Sequence, residues 1–269
     1  MPETPVYGLP FEAPTDKPGI TLTGVDGNEI LAETVEAVLQ GLDSRITGVE
    51  TSGYRYLTTV VYTANGTFTK GSYAGFKALR VRGTGGGGQC GGVAATGVGQ
   101  ANEGGGGGAS GYSESFLLDA AIGASVAVTV GAAGSGAAAG AAGNAGGTSS
   151  FGAFISITGG GGGFAMAASS GTLVAGGGTQ GAGSGGNILN MEGGNGRPGV
   201  VAAAIAVRSN SGGGAPFFGT IASSGSTSTD GLAGLTYGAG GGGTRNGASQ
   251  AARAGAAGFA GVILVDVFV

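Results

Sequence analysis

Two apolar periods divide the chain. Over residues 30–50, ILAETVEAVLQGLDSRITGVE, the positions Leu31, Val35, Val38, Leu42 and Val49 recur in alternating steps of four and three, with Ile46 beside the one gap at Arg45. This spacing predicts a helix with a coiled-coil seam. The seam covers fewer than three heptads and contains Gly41, which weakens a helix by about 1 kcal/mol. Such a helix is marginal alone. We expect it to self-associate; packing on its own domain is the alternative. From Tyr54 the period becomes two. YRYLTTVVYTANGTFTK alternates, and Asn65-Gly66 is a strong hairpin signal. Further strands are expected at 76–82 (Lys77, Leu79 and Val81 on one face, Ala78, Arg80 and Arg82 on the other), 112–118, 125–130 and 262–269. The last is nearly continuous apolar sequence and belongs in the middle of its sheet.

Before the helix, Pro2, Pro5, Pro10, Pro14 and Pro18 impose extended geometry. The predicted organisation is therefore an extended arm over 1–29, a short coiled-coil helix over 30–52 and a β-rich domain over 53–269. Tyr7 and Phe11 of the arm are candidate anchors to a larger body.

Glycine changes the picture of the third part. It makes up 67 of 269 residues, against a usual share of about 7%. Runs stand at 85–88, 104–108, 159–163, 176–178, 212–214 and 240–243. Collagen would require glycine at every third position with abundant proline, and only seven prolines occur. A disordered chain would be polar and charged; here 10% of residues are charged and mean hydropathy is +0.27. Spacing between the runs is irregular, which argues against a solenoid. Runs of this kind suit left-handed helices with three residues per turn, packed side by side and hydrogen-bonded to one another. The fold class expected is mainly β: a β-sandwich frame with packed polyglycine-II-type helices, preceded by the arm and the coiled-coil helix.

Candidate chemistry is sparse. Gly83 to Gly88 fits G-x-G-x-x-G, but no helix pattern follows to hold a pyrophosphate. The sequence contains no His and one Cys, Cys90, so a disulfide within the chain, a zinc site and a His-based dyad are excluded. We expect no cofactor and no metal. No charged-then-apolar leader opens the sequence and no apolar run approaches a membrane span, so neither a signal peptide nor membrane insertion is expected. Residues 1–53 hold nine acids and two bases, net −7; residues 54–269 hold six acids and nine bases, net +3. Two different partners are implied, although a solvated acidic helix accounts for the first part as simply. The bases of the second part are scattered without an aromatic-interleaved stripe, which argues against nucleic acid.

The order of the clusters carries a resemblance. NGTFTKGSYAGFKALRVRGTGGGGQCGG, GGGGGASGYSESFLL, VAVTVGAAGSG, GGTSSFGAFISITGGGGG, GSGGNILNMEGGNGRPG, GGGAPFFG, YGAGGGG and AGFAGVILVDVFV follow one another over residues 63–269. This succession resembles the glycine-rich domain of bacteriophage tail fibre and minor tail proteins. The opening VYGLPFEAPTDKPG and the LDSRI of the helix look like the start of minor tail proteins from phages of actinobacteria. The resemblance implies a homotrimer joined through Leu31, Val35, Val38, Leu42, Ile46 and Val49. It also implies a virion location after synthesis in the host cytoplasm, and an arm that docks on other phage tail proteins. The expected function is non-enzymatic: binding a host cell-surface glycan or other receptor through loops between the glycine runs. Loops held on a rigid scaffold commonly carry function. The candidate contact residues are Arg197, Arg208, Phe217, Phe218, Asp230, Arg245, Asn246 and Arg253, although Phe217 and Phe218 capping the glycine core is at least as good a reading. A structural spacer or collar is the rival function. A polysaccharide depolymerase is the second rival, for which Glu103, Glu192 and Asp230 lie in loops that could meet in space.

Overall fold

The computed structural model describes residues 37, 40, 41 and 53–269, apart from 203–206, 209 and 225–227; of 207–208 it describes the backbone alone. The expected arm (1–29) and the seam residues Leu31, Val35, Val38, Leu42, Ile46 and Val49 lie outside the described residues. Residues from Tyr54 to Val269 form one compact unit.

The described chain is mainly β, in several antiparallel sheets. The first sheet has five strands in the order β1 (Tyr56–Tyr62), β15 (Val262–Phe268), β3 (Ala78–Thr84), β5 (Tyr112–Leu118) and β11 (Leu189–Met191). The second also has five: β10 (Gly183–Ser184), β8 (Ile155–Ile157), β7 (Ser149–Phe151), β6 (Ser125–Thr129) and β2 (Gly66–Thr69). Strand alternation decides what each face carries. Leu79 and Val81 of β3, Leu117 of β5 and Ile263, Val265 and Val267 of β15 point one way. They share a buried cluster with Phe68, Val126, Val128, Phe151, Ile155 and Ile157 of the second sheet. As its apolar run predicts, β15 has a strand on both sides.

The other face of the first sheet carries charge that is paired. Arg80 and Tyr112 both donate to the Glu114 carboxylate, and Thr59 and Arg82 both reach Asp266. Burial alone would raise the Glu114 pKa, but these hydrogen bonds and the charges of Arg80 and Arg82 outweigh it and hold the group below the usual carboxylate range.

The Asn65-Gly66 hairpin is not formed. Antiparallel pairing joins β1 to β15 and β2 to β6, so residues 63–65 carry the chain from one sheet to the other. The Asn65 side chain accepts the Val130 N–H. Tertiary pairing overrides the local turn signal here because both strands find partners distant in sequence.

From the strand ends the chain passes into glycine segments whose backbone bonds follow a period of three. Gly86, Gln89 and Gly92 donate to the carbonyls of Gly147, Asn144 and Ala141; Gly87, Cys90 and Val93 to Phe259, Ala256 and Arg253; Gly88 and Gly91 to Gly108 and Gly105. The next segment repeats the rule. Gly104, Gly107 and Ser110 donate to Thr244, Gly241 and Gly238; Gly105, Gly108 and Gly111 to Phe164, Gly161 and Thr158; Gly106 and Ala109 to Arg197 and Gly194. Partner numbers fall by three as donor numbers rise by three, so donor and acceptor segments run antiparallel. The carbonyls of Gly86, Gly87 and Gly88 accept from Gly160, Gly134 and Gly241, which belong to three further segments. A segment so placed is surrounded on all sides by backbone. A Cβ at Gly86, Gly88, Gly91, Gly106 or Gly107 would overlap a neighbouring carbonyl, and this close approach is the reason for glycine. The N–H groups of Gly86 to Gly88 are all taken by protein carbonyls, which leaves none to cradle a phosphate.

Side chains inside the glycine array are bonded wedges. Gln89 donates to the Gly255 carbonyl (2.8 Å) and accepts from Ala137 N (3.1 Å). Cys90 is fully buried; its Sγ accepts the Ala256 N–H at 2.9 Å and lies 3.5 Å from Thr244 Oγ1. Burial pushes its thiol pKa up.

Candidate functional site

The antiparallel register fixes where the loops gather. Residues 84–93 lead away from β3 and residues 102–111 lead back to β5. Val93 is level with Arg253, Gly104 with Thr244, Phe164 with Gly176, and Arg197 with Gly212. The connecting loops around 94–101, 165–175, 198–211 and 245–252 therefore leave from the end of the glycine segments remote from the two large sheets. Two small sheets stiffen this end: β4 (Asn102–Glu103) with β14 (Arg245–Asn246), and β9 (Leu173–Ala175), β12 (Gly199–Ala202) and β13 (Val207–Arg208) in the order β13-β12-β9.

A polar network ties the loops together. Glu103 is fully buried, and its Oε1 accepts from Ser211 Oγ (2.6 Å), Ser211 N (3.2 Å) and Arg245 Nη2 (2.9 Å). Pairing of β4 with β14 sets Arg245 directly opposite Glu103 and Asn246 opposite Asn102. Asn246 donates to the carbonyls of Ala94 (3.1 Å) and Ala251 (2.8 Å), and its Oδ1 accepts Arg253 Nε (2.9 Å). Arg253 also pairs with the exposed Asp230 at 3.1 Å. Thr96 Oγ1 donates to the Gly247 carbonyl.

Of the eight candidate contact residues, the fold brings four together here: Asp230, Arg245, Asn246 and Arg253. All four have protein partners, so they hold the loops. Arg197 is exposed at the same end, with its N–H on Gly212. Arg208 contributes backbone to β13, opposite Val201. Phe217 and Phe218 lie elsewhere: Phe217 stacks on Tyr112 of β5 at 3.9 Å, and Phe218 meets the same ring edge-on at 5.4 Å. They cover the start of β5, where the glycine segment meets the first sheet.

The side chains that the loop end offers to solvent are mostly others. Val98 is 92% exposed, and Phe164 and Val174 are also exposed. A Cβ at Gly176 would touch the Phe164 ring, and one at Gly177 would meet the Gly196 carbonyl beside Arg197, so Phe164 and Arg197 flank Gly176 and Gly177. The importance of Glu103 and Ser211 was written in their position. Each directly precedes a glycine run, which places it at the mouth of a tightly packed segment.

Of the three loop carboxylates, Glu103 and Asp230 share the loop network while Glu192 lies apart, beside Gln180 and Ala182. Glu103 is buried on Arg245, Asp230 pairs with Arg253, and Glu192 accepts from Gln180 Nε2 at 3.1 Å. Among the described residues no group of three His, Cys, Asp or Glu is placed to hold a metal, and no helix is long and apolar enough to cross a membrane. Compared with known proteins, the chain matches no family model, and no curated protein is significantly similar to it.

Proposed function

We propose that this chain is a non-enzymatic phage tail adhesin, attached to the virion tail by residues 1–29 and joined as a homotrimer through residues 30–50. The host cell surface is touched by the loops at the remote end of the glycine segments. The observation that carries the reading is that the loop ends at 94–96, 103, 211 and 245–253 are clamped by a buried polar network on a backbone-packed scaffold, with Arg197, Phe164, Val98 and Val174 left outward. Rigid presentation lowers the ordering cost of binding, and several copies per particle add avidity. We take the glycine segments to be polyglycine-II-type helices set against a β-sandwich frame, because successive N–H groups go to different segments and return to the same one every third residue, as a helix of three residues per turn requires. Arg197 suits a phosphate-bearing wall glycan through its guanidinium fork, and Phe164 offers a flat face to a sugar.

The test is binding of the full chain to a panel of bacterial cells and to isolated anionic wall glycans. Retained binding by the parent, and at least ten-fold weaker binding by Arg197→Ala with Phe164→Ala at an unchanged melting temperature, supports the adhesin. Arg245 and Arg253 are unsuitable probes, because removing Arg245 leaves the Glu103 carboxylate buried without its cation, a change that costs about 3–5 kcal/mol. Absence of binding to every strain and glycan favours a spacer or collar. Release of reducing sugar favours a depolymerase.

A further inference from the structure

We propose that the aromatic end of the first sheet, together with the open edge of β1, is a surface on which copies of this chain meet. Four rings form one cluster there: Tyr54 lies 5.7 Å from Phe116, Phe116 lies 5.8 Å from Phe268, and Phe268 lies 6.2 Å from Tyr56. The cluster is only half covered. Tyr54 is 55% exposed and Tyr56 56%, with Leu57, Val61 and Leu118 between 44% and 54%. Leu118 belongs to the same row, because Ala78 pairs with both Phe268 and Leu118. Among the described residues β1 has a strand on one side only. Edge strands are commonly blunted by charge, proline or a bulge; YLTTVVY has no charge and no proline, and its one irregularity, at Leu57, leaves Thr58 to Tyr62 in unbroken register with an open edge.

Charge and chain path identify the occupant. Arg80, Arg82, Glu114 and Asp266 on this face are paired among themselves, so apart from Arg55 at its margin the patch carries little net charge and fits an identical patch better than a strongly charged partner. The path constraint rests on the proposed association of residues 30–50. Their seam ends at Val49, five residues before Tyr54. Associated helices lie about 10 Å apart, and a fully extended link adds about 3.5 Å per residue. The Tyr54 residues of two copies are then held within roughly 45 Å. A compact body the length of the unit from Tyr54 to Val269 has a radius of gyration of about 17 Å, so the tether holds copies close enough for this face of one to reach that of the next. Burying the exposed rings removes apolar area that is costly in water.

The test uses the full chain and its single cysteine. Cys90 is fully buried, so a cysteine introduced at the surface is the one fast-reacting thiol. Tyr56→Cys and Val61→Cys are compared with Val98→Cys at the remote loop end, by sedimentation and by maleimide labelling. The expected result is an oligomer in which thiols at positions 56 and 61 react at least ten-fold more slowly than the thiol at 98. Their rates should rise to match it when Leu42→Asp breaks the helical seam. Val61→Lys should weaken association at least ten-fold without altering the melting of the β unit. A monomeric parent overturns both the helix association and this contact. An oligomer with fast thiols at 56 and 61 overturns the sheet contact alone. Slow thiols in a monomeric Leu42→Asp chain also overturn it, since the chain then covers its own face.

Discussion

Glu114 is the residue whose role is most directly measurable. The residue is 5% exposed, and its carboxylate receives hydrogen bonds from Arg80 and Tyr112. Burial pushes its pKa up, but the bonds and nearby guanidinium charges prevail and the net direction is down. A depressed folded pKa contributes stability that is complete above the ordinary carboxylate value of about 4.3. That contribution is lost as pH falls through the folded value. Glu114→Gln is expected to destabilise the protein by about 1.5–3 kcal/mol at pH 7, the range for a hydrogen bond to a charged group. It should also flatten the loss of stability on acidification. Denaturant titration from pH 7 to pH 3 measures both, and an unchanged acid slope would remove Glu114 from the account. Tyr112, the other donor, is kept protonated by its burial and by this same bond. The face that carries Arg80 was legible as alternation along β3, whereas Glu114 reads from sequence as a solvent-facing strand position and is in fact buried under its two donors. The diagonal reach of Arg80 to Glu114 was not legible, because Arg80 is paired in register with Phe116.

At the scale of elements, the glycine segments behave as close-packed units whose tolerance varies with position. A Cβ on Gly106 would overlap the Gly212 carbonyl, whereas nothing lies within 4 Å of a Cβ on Gly71. Gly106→Val should therefore cost about 3 kcal/mol or more through overpacking. Gly71→Ala should stay within about 0.5 kcal/mol of the parent, as surface changes do. Thermal or urea unfolding of the two variants checks this, and equal stability would return the runs to the status of flexible linkers. Strand existence was readable where apolar periodicity was strong: the expected 112–118 matches β5, and the runs at 76–82, 125–130 and 262–269 match β3, β6 and β15 to within two residues. Strand partnership was not. Asn65-Gly66 has hairpin chemistry, yet β1 and β2 join different sheets, because local turn preference is small beside the burial won by Phe68 and Val60 against distant strands.

For the molecule as a whole, backbone hydrogen bonds between glycine segments take over part of the work that side chains do in an ordinary core. Amides of residues 86–92 and 104–110 should then exchange with solvent as slowly as those of β3 and β15, since both report global opening. The loop amides at 97–100 should exchange fast. Rapid exchange of the glycine amides would show that the array opens independently of the sheets. The chain by itself determined the positions of the strongly periodic strands β1, β2, β3, β5, β6 and β15, the need for close backbone approach at the glycine runs, and the absence of histidine chemistry. These follow from residue type and spacing alone. Only the tertiary structure decided which run lies beside which, why Glu103 meets Arg245 and Ser211, and why Phe217 and Phe218 sit on Tyr112 instead of at the loop end. Glycine runs are alike in sequence and present no side chains to encode a register. Their neighbours are therefore chosen by the strands that feed them and by the polar residues at their mouths, which meet across separations of more than a hundred residues.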